Sequence, residues 1–202
     1  MKIITVSREF GSGGRELGKR LADFLNIAYY DREIISEIAS KTSLDENYVE
    51  RMLDSDIAKQ YSITYSHTFA HFASPVNTGI QLLVQEHKII KELALKGDCI
   101  IVGRCADVVL SDLNPFKIFV YADMKSRVAR CQTRAHKDEN LTDREMEKKI
   151  KQIDKIRANN YDLVALNKWG DKSNYNLCVN TTGVNIRNIV PIIGEYAKEW
   201  FN

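Results

Sequence analysis

The chain has 202 residues, 44% hydrophobic and 28% charged, with 29 lysines and arginines against 27 acids and a formal net charge of +2. Those proportions exclude a disordered chain, and the length suits one domain, or one domain with an insertion, around a substantial core. So small a net charge gives no general grip on a nucleic acid polymer or a membrane, so any basic function must come from local clustering.

The opening MKIITVSREF has neither the apolar core nor the small-residue cleavage site of a secretory signal. No run is long and apolar enough to span a bilayer. Cys99, Cys105, Cys131 and Cys178 form no CxxC pair, which leaves zinc and redox motifs without support. A cytoplasmic protein with reduced, packed thiols is expected.

Along the chain, strands alternate with helices. Residues 2–6 (KIITV) read as a short buried strand. Residues 14–26 follow as a helix with Leu17, Leu21, Phe24 and Leu25 on one side, and helices are expected over 31–41 and 44–53. Residues 75–96 read as a long helix with an apolar stripe of Ile80, Leu83, Val84, His87 and Ala94, stopped by Gly97. Residues 98–102 (DCIIV) and 116–121 (FKIFVY) are further strands, the latter after the breaker Asn114-Pro115. Helices over 125–136 and 142–159, a strand over 176–180 (NLCVN) and a helix over 184–201 complete the series. Short apolar strands separated by helices point to a parallel sheet covered on both faces, with ligands beyond the carboxyl ends of the strands.

Directly after the first strand come Gly11-Ser12-Gly13-Gly14-Arg15-Glu16. Three glycines in four residues let the backbone curl and gather N–H groups, and the helix that follows adds its positive end. Strand, glycine turn and helix make a phosphate loop, with Gly11, Ser12, Gly13, Gly14, Arg15 and Glu16 as the phosphate-binding set; a tight connecting turn is the plain alternative. The full pattern ends in Gly-Lys-Ser/Thr. With Gly13 on its last glycine, Gly14 stands at the lysine position and Arg15 at the hydroxyl position. Arg15 is the candidate replacement cation, and Lys19 a weaker one. Gly18 lets the helix approach the sheet closely.

The second long strand ends in Gly103-Arg104, with Asp107 one helical turn on. A guanidinium there suits a phosphoryl group. Asp107 then orients Arg104 or binds a sugar hydroxyl; an ordinary helix-capping pair is the alternative. After the third strand, Arg127, Arg130 and Arg134 share a helix face, and a second basic helix carries Lys148, Lys149, Lys151 and Arg157. Two basic helices joined by the polar turn 136–141 suit a lid that closes arginines over phosphates. The lysines alternate with acids and read as surface, which leaves Arg130, Arg134 and Arg157 as the functional choices.

SREFGSGGRELGKRLA, YYDREII, IVGRCAD, DKIRANNY and YNLCVNT, in this order with the arginine-rich lid, resemble the cytidylate kinase-like family of nucleoside monophosphate kinases. The resemblance implies a three-layer P-loop NTPase-type α/β fold over residues 1–202, with a helical acceptor-binding insertion at about 30–85 and a helical lid at about 130–160. It implies transfer of the γ-phosphoryl group of ATP to a pyrimidine monophosphate. Asp31, Arg32, Arg104 and Asp107 would meet the acceptor, and Arg15, Arg130, Arg134 and Arg157 would serve catalysis. Asp154 would orient Arg157. Mg2+ is implied too, but no direct protein ligand is identified, since the second strand's end lacks an acid. The family pattern departs at Gly14, so a non-catalytic nucleotide- or phosphate-binding regulator of the same fold stays open.

The segment 61–72 (YSITYSHTFAHF) places His67 and His71 at i, i+4 but offers no third metal ligand. It reads as an aromatic face packing onto the core or a second copy in a homodimer, with base stacking as an alternative.

Overall fold

The computed structural model describes residues 1–57, 75–135 and 141–202, and of 75–77 the backbone alone. The 61–72 segment and residues 136–140 of the lid turn lie outside the described residues.

Five strands form one sheet: β1 (Ile3–Arg8), β2 (Ala28–Tyr30), β3 (Cys99–Val102), β4 (Phe116–Tyr121) and β5 (Leu177–Asn180). Their order is β2-β3-β1-β4-β5 and every neighbouring pair is parallel. Among the described residues the α-helices are α1 (Gly14–Leu25), α2 (Glu33–Thr42), α3 (Glu46–Leu53), α4 (Pro75–Ala94), α5 (Ala106–Val109), α6 (Met124–Arg134), α7 (Asp143–Asp162) and α8 (Ile186–Trp200). This is the three-layer arrangement expected of a phosphate-loop fold.

Successive residues of a strand face opposite sides, so a strand covered on both must be apolar throughout. Ile4, Val6, Ile100, Val102 and Ile118 pack with Leu17 and Leu21 of α1 and Ile186 and Val190 of α8. On the other face Ile3, Cys99 and Ile101 meet Ile34, Ile38, Val49, Ile89 and Ile90 of α2, α3 and α4. Gly18 brings α1 down onto the sheet, since a Cβ there would stand 2.7 Å from Val102 Cγ2. Helices α6 and α7, which cover most of the expected lid, pack through a small cluster of Val128, Met146 and Ile150, with Phe10 and Cys131 against it. Asp123 caps α6, and Thr142 with Glu145 forms a reciprocal capping box on α7.

One element is absent from the sequence reading and one expectation needs correction. Residues 28–30 carry no apolar run, yet they form β2, a short, half-exposed edge strand paired with β3. In α4 the buried residues include Leu82, Glu86, Ile89, Ile90, Leu93 and Ala94, whereas Val84 is 49% exposed. The helix is apolar on several sides, so its phase is ambiguous, and a buried Glu86 disguises the inward face. Among the described residues no helix is long and apolar enough to cross a membrane.

Candidate functional site

The site forms where β1, β3 and β4 end. Gly11 and Gly13 adopt left-handed backbone, with φ of 78° and 85°, which L side chains rarely accept. At Gly11 there is no room for one either: a Cβ would lie 2.9 Å from both the Arg127 carbonyl and Cys131 Sγ. Gly13 caps α1 without any side-chain acceptor, and the first helical bond runs from Leu17 N–H to Gly13 at 2.9 Å. The N–H groups of the first turn, Gly14, Arg15 and Glu16, thus open toward the site, where the helix's positive end favours an anion.

Ser12 is turned the other way. It is fully buried, its hydroxyl donates to Glu9 O at 2.8 Å, and its carbonyl accepts from Thr181 Oγ1 at 2.7 Å. It shapes the loop from inside rather than facing the opening, because its hydroxyl and N–H both turn back to Glu9 O and its carbonyl is taken by Thr181.

Arginines surround the loop. A cleft of about 260 Å³ is lined by Arg8, Gly11, Gly13, Gly14, Arg15, Arg130, Arg134 and Arg157, among others. A second, more open cleft takes in Lys19, Tyr29, Asp31 and Arg32, and shares Arg15 and Arg134 with the first. Arg15 Nε meets Asp31 at 2.6 Å, tying α1 to the end of β2. Arg134 pairs with Glu16 and so closes α6 onto α1. Arg130 donates to Thr181 Oγ1 at 3.2 Å, and to the Thr181 carbonyl, fixing α6 to the turn after β5. Arg157 donates to the Arg8 carbonyl at 3.0 Å and lies 5.4 Å over the Phe10 ring; burial is the main cause that lowers its pKa. Arg32 is largely exposed at the start of α2, with Glu50 3.9 Å away.

Gly103, Arg104 and Cys105 have φ of 76°, 57° and 50°. Consecutive non-glycine residues in the left-handed region are uncommon and carry strain. The turn places the Arg104 guanidinium between Asp54 at 2.9 Å and Glu86 at 3.6 Å. Burial pushes the Glu86 carboxyl up to about 7, against the pull of Arg104. Arg104 therefore already has two acids against it.

Asp107 departs from expectation. It neither pairs with Arg104 nor faces an opening: it is buried, accepting from Ser7 Oγ at 3.2 Å and from the Tyr161 hydroxyl at 3.0 Å. The left-handed turn at Arg104 and Cys105 breaks the helical phase on which the expected pairing relied. Asp154 also differs, since Arg157 is 3.8 Å away while Arg127 and the Phe10 N–H (2.7 Å) are its close partners.

Arg8, Asp54, Glu86 and Arg127 were missed as contributors. Arg8 carried one signal, being the last residue of the strand that feeds the loop. Asp54 and Glu86 carried none, because their role depends on how α3 and α4 pack. The position that would offer magnesium a hydroxyl holds Arg15, and among the described residues no three His, Cys, Asp or Glu side chains gather as a metal group. A magnesium ion at the loop would be held through the nucleotide's phosphates and water rather than by a side chain at this position.

No curated protein matches the chain. Among solved structures, an uncharacterized protein from Eubacterium ventriosum is similar at 24% identity and a TM-score of 0.70, covering 98% of this chain and 99% of that one. Shikimate kinase from Bacteroides thetaiotaomicron is similar at 16% identity and TM-score 0.56, covering 98% of each chain. Shikimate kinase from Acinetobacter baumannii, in complex with shikimate, is similar at 14% identity and TM-score 0.55, covering 98% of this chain and 94% of that one. These likenesses show a P-loop kinase-type fold. A profile of the cytidylate kinase-like family matches residues 3–183, and the chain belongs to that family.

Proposed function

We propose that this protein transfers the γ-phosphoryl group of ATP to a pyrimidine nucleoside monophosphate of the CMP or dCMP type. The observation that carries the reading is the uncapped start of α1, facing a cleft lined by Arg8, Arg15, Arg130, Arg134 and Arg157. Phosphoryl transfer asks a protein mainly for positioning and for neutralisation of charge on the equatorial and bridging oxygens. Backbone N–H groups and guanidinium forks supply both without a covalent step by the protein. The donor phosphates belong in the first cleft and the acceptor in the second, toward Asp31 and Arg32. Arg15 and Arg134, common to both, then flank the transfer point.

A second reading is a nucleotide-binding regulator without turnover. Gly14 at the lysine position and the double neutralisation of Arg104 favour it. Incubation with Mg-ATP and each of CMP, dCMP, UMP and AMP, with shikimate as a control acceptor, separates the two. A diphosphate from CMP or dCMP is the expected product. Thermal stabilisation by ATP with no product from any nucleotide would establish the regulator instead.

A further inference from the structure

The phosphate-loop pattern Gly-x-x-x-x-Gly-Lys-Ser/Thr, laid with its second glycine on Gly13, puts its first glycine at position 8 and its lysine at position 14. This chain has arginine at 8 and glycine at 14. The two positions touch. A Cβ built on Gly14 would stand 2.5 Å from Arg8 Cβ and 3.0 Å from Arg8 Cγ. The space that a side chain at 14 would enter is thus filled by the Arg8 stem.

The far end of Arg8 is accommodated in the same way. Gly103 has φ of 76°, and a Cβ there would collide with the Arg8 guanidinium. Arg8 runs through a slot with one glycine beside its stem and another beside its head.

Among the described residues its charge has no ion-pair partner. Arg15 is paired with Asp31, Arg104 with Asp54, Arg127 with Asp154 and Arg134 with Glu16, but among the described residues no carboxylate forms an ion pair with Arg8. Asp31 favours the charge from a distance, while burial first and Arg157 second bring its pKa down to about 9. An unpaired, desolvated cation is costly in a folded chain. Arg8 lines the cleft into which the first turn of α1 opens. An anion bound there would relieve the cost.

We infer that Arg8 supplies, from the end of β1, the phosphate-binding charge that the loop pattern draws from lysine at position 14, through a reciprocal exchange of glycine and cation between two touching positions. That the anion is a nucleotide's terminal phosphate rests on the proposed function. That an anion binds at Arg8 does not.

The test uses inorganic tripolyphosphate as the probe, with calorimetric affinities and Tm for the full chain and the variants R8Q, R8G, G14K and R8G/G14K. R8Q keeps the stem against Gly14 and removes the charge. It should weaken binding by about tenfold or more, as loss of a charged hydrogen-bonding group does, with Tm unchanged or raised. A merely structural Arg8 predicts the opposite split, a lower Tm with affinity retained. G14K in the native background should lose binding and stability by crowding the Arg8 stem. In R8G/G14K the same lysine should recover binding above that of R8G. The inference is overturned if the native chain does not bind tripolyphosphate. It also fails if R8Q binds as the native chain does, or if a folded R8G/G14K binds no better than R8G; should R8G backgrounds not fold, R8Q decides alone. Tripolyphosphate binding without phosphoryl transfer to any acceptor would sink the kinase reading and leave the role of Arg8 standing.

Discussion

The Asp154 carboxylate of α7 grips the Arg127 guanidinium of α6, and its other oxygen accepts the N–H of Phe10 at 2.7 Å. Arg127 in turn donates to the Phe10 carbonyl at 2.7 Å and faces Glu9 at 3.2 Å. Helices α6 and α7 are thereby both fastened to the backbone just before the glycine turn. These contacts join α6 and α7 to the same short stretch of the loop, residues 9 and 10.

Asp154→Asn should therefore be destabilising. Arg127 is only 6% exposed, and without its partner it keeps a buried charge. Glu9 remains as partial compensation, so a loss of about 2–4 kcal/mol is expected, read by urea unfolding. A value within about 0.5 kcal/mol of the native chain, as for an ordinary surface change, would show that α6 and α7 are held to the loop by other contacts.

How the sequence fared follows from where each signal resides. β1, β3 and β4 are legible because strands buried on both faces read as nearly continuous apolar runs, broken here only by Thr5, Ser7 and Lys117 before the strand ends. β2 is not, since Ala28–Tyr30 lies at an edge and is half-exposed. The glycine loop is legible because its chemistry is local. The Arg104 clamp is not, because Asp54 and Glu86 come from separate helices and meet only through packing. Asp107 misleads for a local reason: spacing of one helical turn was assumed across residues that are left-handed. Ser7 and Tyr161, its real partners, lie 100 and 54 positions away in the chain.

The Glu86–Arg104 pair gives a pH dependence. Glu86 has a carboxyl raised from 4.5 to about 7, chiefly by burial. Between those values the native state holds the proton and the unfolded chain has released it. The native state therefore binds more protons, and this group's contribution to stability falls as pH rises through that window. The expected loss from pH 4.5 to above 7 is about 3 kcal/mol for this group. Glu86→Gln should remove that slope and be the more stable form at pH 8. Urea midpoints at several pH values check it; a native chain and variant with parallel pH profiles would contradict it.

The contact of α1 with the sheet makes a steric prediction. A methyl at position 18 would lie 2.7 Å from Val102 Cγ2, a fully buried side chain at the end of β3. Gly18→Ala gains helix propensity of about 1 kcal/mol but overpacks the core by about 1–3 kcal/mol. A net loss of stability is expected, together with weaker nucleotide binding, because α1 carries the first-turn N–H groups. A stabilised Gly18→Ala protein would mean that the helix can shift outward freely.

Arg15 and Lys19 provide a last comparison, since both lie on α1 near the loop. Arg15 lines both clefts and reaches Asp31 at 2.6 Å. Lys19 lines only the open cleft of the two, pairs with Asp23 at 2.9 Å and lies 5.5 Å over the Tyr29 ring. Its charge is thus directed away from the glycine turn. Arg15→Ala should weaken tripolyphosphate or ATP binding more than Lys19→Ala, and Arg8→Gln more than either, because Arg8 alone of the three has no ion-pair partner among the described residues. Both α1 variants should cost less than about 1 kcal/mol of stability, since each pair is at least partly exposed. Calorimetric affinities of the three variants at one ionic strength give the ranking. A larger loss at Lys19 than at Arg15 would move the phosphate path to the outer side of α1, away from the cleft under the lid.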